Sequence, residues 1–454
     1  MENLDITIVT TAAPRLGQAL GVASVSVSLV MSAYLITFAV VIPFGSWLVV
    51  RWDERRVFIT AIAVFTAASL WCAASTSFWE LVVARAAQGV GAALMVPVGR
   101  LAVLAHAAKT DVMRLIAYVV WPALLAPVIA PLLGGAIVTV GSWRWLFLVN
   151  VPLGVVALAL AHRMMPRTRS SKLRVRLDWV GMVLTCTSLG GLVYVGYLAS
   201  TPDVAWSSVA RWGGLFCFVL AIAVVELLRS TRPFIDLRVL RVTTLRQSLI
   251  GFAVLALAVG SVPMLLPLLF QDVFGWSPVL SGALVACVFV GNLGAKPFTT
   301  GLLNRFGHRT IVIATTIGAA FTLLALSRIT ALMALAVIGT IAFVNGVTRS
   351  VGFTALMTLI YADVPEDQMN HANTLAATVQ QLFAGFAIAA GAVSLRIGSA
   401  IAGTSSASTS GPFSYAFMML SVVALMATVG GFLMHPTAGN ALRTSTRSLE
   451  GHDT

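Results

Sequence analysis

The feature that most constrains this chain is a series of long stretches without a single charged residue. Runs free of Asp, Glu, Lys, Arg and His cover 16–50, 57–79, 115–143, 145–161, 179–202, 212–225, 247–271, 273–295, 310–327, 329–348, 374–395 and 397–434. Because a helix rises about 1.5 Å per residue, about 20 mostly apolar residues cross a hydrocarbon core about 30 Å thick. Residues 80–105 add a span interrupted by Arg85 and Arg100, which makes thirteen full spans. Residues 1–14 read as the end of a further, first helix, with Pro14 and the segment Leu16 to Ala23 turning the chain. The expectation is fourteen helices in an all-α polytopic membrane protein. Composition agrees: 59% of the 454 residues are hydrophobic and 10% charged, against about 25% charged in soluble domains. Such a chain has too little polar surface for a soluble enzyme.

A net charge of +13 would suit a nucleic-acid binder, but the placement of the charges speaks against that. With the amino terminus inside, the inner loops and tail carry twenty Lys and Arg, and the outer loops only Arg15, Arg144, Arg211 and Arg328. Five more, Arg85, Arg100, Lys296, Arg349 and Arg396, fall within spans. This asymmetry follows the positive-inside rule and puts both termini in the cytoplasm, in an inner (plasma) membrane. No nucleic-acid partner is expected. Cys72, Cys186, Cys217 and Cys287 all lie in spans without metal-ligand spacing and read as small packing residues. The acidic start Met1-Glu2-Asn3-Leu4-Asp5 is unlike a cleavable signal peptide.

Two basic cytoplasmic loops divide the chain. The segmentation reads as a six-helix bundle over 1–163, a basic loop at 164–178 and a two-helix insert at 179–229. A second basic loop at 230–247, a six-helix bundle over 248–435 and a tail at 436–454 complete it. Repeated bundles place a substrate site between them. A weak internal repeat supports this: Gly45-Ser-Trp-Leu-Val-Val-Arg51-Trp-Asp53-Glu-Arg55-Arg56 after the second helix, and Gly301-Leu-Leu-Asn-Arg305-Phe-Gly307-His-Arg309 after the tenth. Gly45, Asp53, Arg55, Gly301 and Arg305 are therefore gating candidates, with positive-inside arginines at two helix ends as the simpler reading.

Asp5 is the sharpest single residue, since no other carboxylate lies in the middle of a span. An unpaired Asp at mid-membrane costs about 2.5–3.5 kcal/mol. Desolvation favours its protonated form, which suits a proton carrier. The alternative is a shallow Asp5 at the cytoplasmic mouth, because four residues precede it. Asn292, Lys296, Arg349, Gln380 and Gln381 are polar groups in spans that read as cavity-lining, with interhelical hydrogen bonding or packing as the competing role. Arg100 and Arg396 read as snorkelling side chains. Gln88-Gly89-x-Gly91 and Ala126-Pro127 to Ala130-Pro131-x-x-Gly134-Gly135 supply small residues and prolines for close, bendable helix contacts.

Several motifs together resemble the major facilitator superfamily, specifically its fourteen-helix drug:proton antiporters of the EmrB/QacA type. Leu4-Asp5-Ile-Thr7 to Pro14 resembles the first-helix motif, and Leu81-x-x-x-Arg85-x-x-Gln88-Gly89-x-Gly91 the fourth-helix motif. Ala126-x-x-x-Ala130-Pro131-x-x-Gly134-Gly135 is similar to the fifth-helix antiporter motif, with alanine at two glycine positions. Ser142-Trp143-Arg144-Trp145 to Asn150-Val-Pro152-Leu-Gly154 also resembles the subfamily. The resemblance implies two six-helix bundles plus a two-helix insert, with Arg85 in proton coupling beside Asp5. It further implies Gln88, Lys296 and Arg349 at the cavity, and Pro127, Pro131, Gly134 and Gly135 as hinges.

Two departures stand out. Val50 occupies the acidic position of the first inner loop, with Asp53 at the following glycine position; in the resembled family the acid helps latch the outward-open state. Residues 1–14 are also too short to cross the core, so the first helix reads as truncated and the coding start as late.

The function expected is proton-coupled efflux of small amphipathic or drug-like molecules by alternating access, using protons and the lipid bilayer. The alternative is a proton-coupled metabolite symporter on the same fold. The resemblance makes a periplasmic adaptor possible, but no residue indicates one. No Gly-x4-Gly-Lys-Ser/Thr motif occurs. His106, His162, His308, His371, His435 and His452 are scattered singly, so no enzyme, metal or cofactor is expected.

Overall fold

The computed structural model describes residues 2–105, 112–165, 178–201, 204–231, 233–403 and 409–434. The first bundle consists of α1 (Glu2–Leu20), α2 (Ser28–Trp52), α3 (Glu54–Ala74), α4 (Phe78–Ala105), α5 (Val112–Val140) and α6 (Asn150–Met164), the last preceded by a turn at Trp145–Leu148. The insert is α7 (Trp179–Ser200) and α8 (Trp206–Arg229). The second bundle begins with α9 (Thr243–Val259), which continues past Gly260 as Val262–Leu268 and a π turn at Leu269–Val273. It is completed by α10 (Pro278–Phe306), α11 (His308–Leu326), α12 (Leu335–Ile360), α13 (Met369–Ile401) and α14 (Ser410–Leu433). Among the described residues, eleven helical segments are long and apolar enough to cross a membrane; α1, α4 and α5 bring the rods to fourteen. The segment 164–178 lies almost wholly outside the described residues, as does the tail 436–454.

The first helix differs from the sequence reading. It does not stop at Pro14 but runs through it as 19 continuous residues, about 28 Å of rise. Pro14 lacks only its own N–H, and the buried turns on either side hold the helix together. The chain turns at Gly21, within the Leu16 to Ala23 segment, with φ +67°. There Val22 N donates to Gly17 O at 2.9 Å and Gly21 N to Gln18 O at 3.4 Å, the paired bonds of a glycine helix cap.

The two bundles meet along two seams related by exchange of halves. α2, second in its bundle, packs against α13, fifth in the other, and α5 packs against α10 in the same way. The α5–α10 seam is backbone against backbone. A Cβ on Gly135 would stand 2.3 Å from the Pro278 carbonyl oxygen, and one on Gly282 would stand 2.3 Å from that of Pro131. On the other side of α5, a Cβ on Gly134 would stand 2.6 Å from Ile8 O of α1. Polar links cross between the bundles as well: Ser32 Oγ to Gly385 O at 3.1 Å, Gln271 Nε2 to Thr11 O at 2.9 Å, and Gln381 Nε2 to Glu2 Oε1 at 3.2 Å.

The insert leans on the α2–α13 seam. α7 packs on both helices, while α8 packs on α7 and turns Leu215, Phe218, Ile222 and Val225 outward, as lipid-facing residues would be. Arg396 of α13 donates to Ala199 O at 3.0 Å and Val204 O at 2.8 Å, its guanidinium 4.4 Å from the Trp206 ring. It fastens the α7–α8 turn rather than snorkelling. The second basic loop is likewise anchored: Ile235, Val239 and Leu245 pack against Ile360, Ala372 and Leu375. Arg238 there donates to Leu228 O and Ser230 O at the end of α8.

Candidate functional site

In the amino-terminal bundle, every helix except α5 contributes to one closed polar centre. Asp5 (α1) and Arg85 (α4) are 0% and 1% exposed and form an ion pair through Oδ2 and Nη1. The second carboxylate oxygen accepts from Gln88 Nε2 at 3.0 Å and Asn150 Nδ2 at 2.6 Å. Arg85 Nη1 also donates to Gln88 Oε1 at 2.6 Å, and Gln88 Nε2 to Ser69 Oγ on α3 at 2.8 Å. Tyr34 of α2 and Phe147 cover the guanidinium, their ring centroids 4.3 and 5.7 Å from Cζ. Asp5 is thus buried within the bundle. Its charge is balanced by one cation and two amides, in surroundings where removing either ion leaves the other costly.

The sequence assigned Gln88 to a cavity; it lies fully buried between Asp5, Arg85 and Ser69. Asn150 carries the shortest neutral bond to Asp5 yet was not singled out, although it stands in the quoted Trp143 to Gly154 motif as a lone amide opening an apolar helix. Ser69 and Tyr34 had no sequence signal beyond being polar groups within spans.

The carboxy-terminal bundle holds a different arrangement. Lys296 of α10 donates to Thr354 Oγ1 of α12 at 3.0 Å, and Ser350 Oγ to Asn292 O at 2.8 Å. Arg349 is half-buried beside the rings of Phe289 and Phe353, at 5.9 and 5.6 Å, with buried Nε and Nη1 that have no hydrogen-bond partner. Gln381 reaches Glu2 across the bundles, while Gln380 is exposed.

The expected hinge residues fall into two groups. Pro131, Gly134 and Gly135 form the tight seam of α5, and Pro127 lies one turn earlier in the same helix, half-buried. In the inner loops, Asp53 adopts φ 95° and Gly307 φ 79° at matching positions before α3 and α11. Arg55 then donates to His162 O at the end of α6 at 2.6 Å, and Arg309 to Phe432 O at the end of α14 at 3.1 Å. Arginine at a helix carboxyl end meets unpaired carbonyls and the negative end of the dipole. Arg55 is therefore matched by Arg309; Arg305 lies against Phe306, and Gly301 has open space where a Cβ would be. Gly45 is buried in α2. The side chains of Val50 and Arg100 lie outside the described ones.

The sequence profile of the Major Facilitator Superfamily matches residues 1–389. The chain belongs to this superfamily. It is 32% identical over 434 residues to a protein of Escherichia coli O6:H1 that carries the name multidrug resistance protein MdtD, covering 94% of this chain and 91% of that one. A protein of the same name from Escherichia fergusonii is 30% identical, covering 93% and 90%. Among solved structures, a D-xylose–proton symporter aligns with TM-score 0.65 at 14% identity, over 97% of this chain and 95% of that one. The nucleoside transporter NupG aligns at 0.64 with 9% identity, over 95% and 96%. A bacterial homologue of the human lysosomal transporter Spinster, inward-facing and unoccupied, aligns at 0.64 with 14% identity, over 97% and 94%. At these identities the structures share the fold alone. This member of the superfamily is a multi-pass membrane transporter and not an enzyme.

Proposed function

We propose that the chain is a proton-coupled exporter of small amphipathic molecules, with both termini cytoplasmic, and that Asp5 is its proton carrier. The observation that carries this reading is the fully buried Asp5, whose ion pair with Arg85 is closed by Gln88 and Asn150. Protonating the carboxyl cancels its charge and weakens every bond it accepts. Arg85 is then left with Gln88 Oε1 and two ring faces, an arrangement that favours repacking of α1 against α4. α1 carries that change to the seam, because Thr11 O accepts from Gln271 of the other bundle and Ile8 O abuts Gly134. The carboxyl and the gate are thus two ends of one helix. The names of the MdtD relatives favour drug-like cargo and efflux. One proton crossing 100 mV supplies about 2.3 kcal/mol, enough for a substrate gradient of about fifty-fold.

The test is proton movement out of proteoliposomes of the purified chain on addition of a panel of lipophilic compounds, followed with an internal pH dye. Compound-dependent flux that Asp5→Asn abolishes is expected. Flux that survives the substitution moves coupling away from Asp5, and an absence of flux with every compound overturns proton-coupled efflux.

A further inference from the structure

The polar centre of the carboxy-terminal bundle is cationic and has no acid to match it. No Asp or Glu occurs between Asp272 and Asp363, the whole stretch holding α10, α11 and α12, and none between Asp367 and Glu450, which includes α13 and α14. Lys296 and Arg349 stand within the first of these stretches. Among the described residues neither has a carboxylate within ion-pair distance, whereas Arg85 is paired with Asp5. Lys296 has Thr354 Oγ1 as its partner, a neutral acceptor that already donates to Ser350 O. Arg349 keeps Nε and Nη1 buried and unsatisfied, an expensive state for a guanidinium with fixed donors.

Placement gives the unmatched charge a direction. α10 and α12 run in parallel, with Ser350 opposite Asn292 and Thr354 opposite Lys296. Arg349 and Lys296 therefore sit at levels about 7.5 Å apart along one helix pair. Lys296 is eighteen residues from Pro278, five full turns, and so returns to the same face of α10. That face is the one Pro278 lays against Gly135 of α5, so Lys296 projects along the line where the bundles meet. Beside Arg349 the wall is aromatic: Phe289, then Phe353, whose ring centroid is 4.7 Å from that of Phe252 on α9.

Two cations without counter-ions next to three aromatic rings make a receptor for an anionic head on a flat apolar body. We infer that Lys296 and Arg349 together bind the negative group of the transported molecule, and that its substrates include aromatic organic anions of the carboxylate class. Lys296 supplies a point charge that approaches from the seam, and the Arg349 fork supplies its orphan N–H groups. The body of the ligand lies on Phe289 and Phe353. This inference rests on the transporter reading above and narrows its substrate, but it does not depend on Asp5.

Equilibrium binding of radiolabelled 2-naphthoate to the full chain in lipid nanodiscs tests it, with empty nanodiscs subtracted. Saturable binding to the wild type is expected, at least about tenfold tighter than that of the neutral isostere 2-naphthylmethanol in competition. Lys296→Gln and Arg349→Gln should each weaken 2-naphthoate by about tenfold or more, while Lys296→Arg stays within about threefold because the charge is kept. Binding of tetraphenylphosphonium should not weaken in any of these variants. Equilibrium binding in nanodiscs needs no proton gradient, so a failure of proton coupling leaves this result standing. The inference is overturned if the wild type shows no saturable 2-naphthoate binding, or if the neutral alcohol competes equally. It is also overturned if both glutamine variants fold and bind unchanged. The wild-type competition decides the matter if either variant fails to fold.

Discussion

The amino-terminal bundle joins Gln88 of α4 to Ser69 of α3 at 2.8 Å, and the carboxy-terminal bundle joins Asn345 of α12 to Thr322 of α11 at 2.9 Å. The positive-φ residues Asp53 and Gly307 match in the same way, as do the arginine caps of Arg55 and Arg309. A common scaffold of amide, hydroxyl, left-handed turn and arginine cap therefore underlies both halves. Charge separates them. One half buries a cation against its own carboxylate, and the other leaves two cations for something outside the chain. Only the first is complete by itself, so stability should follow from its ion pair and ligand dependence from the other half.

The sharpest way to break the comparison is to remove one ion from each half. Asp5→Ala strands a fully buried guanidinium and should cost about 3–5 kcal/mol, measured as lost thermal stability in detergent. Adding Arg85→Ala in the same chain should recover part of that loss. Lys296→Met, by contrast, removes an unmatched charge from a span and should raise the thermal stability of the ligand-free protein, by about 1–3 kcal/mol. Equal losses from Asp5→Ala and Lys296→Met would mean that the two halves treat charge alike.

Smaller changes sharpen the scaffold side. Gly307→Ala should cost about 1 kcal/mol, because it forces a Cβ into the left-handed region that Asp53 already occupies in the other half. Denaturant titration of the two proteins side by side checks it. Gly301→Ala places a methyl in open space within α10 and should stabilise by about 0.5–1 kcal/mol; a fall in melting temperature would show that the site is crowded in another state of the transport cycle.

Much of this was legible in the sequence. Charge-free runs define twelve of the fourteen rods because a membrane leaves the backbone no alternative to helix or closed barrel, and lone charges within or beside the rods mark Asp5, Arg85, Lys296 and Arg349. What stayed hidden is which groups meet. Asn150 is 145 positions from Asp5, and helices apolar on all sides give no stripe from which to read their rotation. In the sequence Gln88 reads as cavity-lining, and only the turn of α4 against α1 and α3 puts it in a buried network instead. The extent of α1 was misjudged for a local reason: proline is a strong stop signal in water, where freed carbonyls hydrate, and a weaker one inside a packed bundle.

The clamp that Arg396 makes on the α7–α8 turn has a mechanical consequence. Three carbonyl contacts, at Leu198, Ala199 and Val204, fasten the hairpin to α13, whereas its packing on α2 includes aromatic contacts such as Trp179 against Phe44 and Trp47. The hairpin is therefore a passenger of the second bundle. On rocking of the bundles, α7 is expected to travel with α13 and to slip over α2 like a bearing, so the wear surface of the transport cycle would be an oily one, with Arg396 and Arg238 as its anchors.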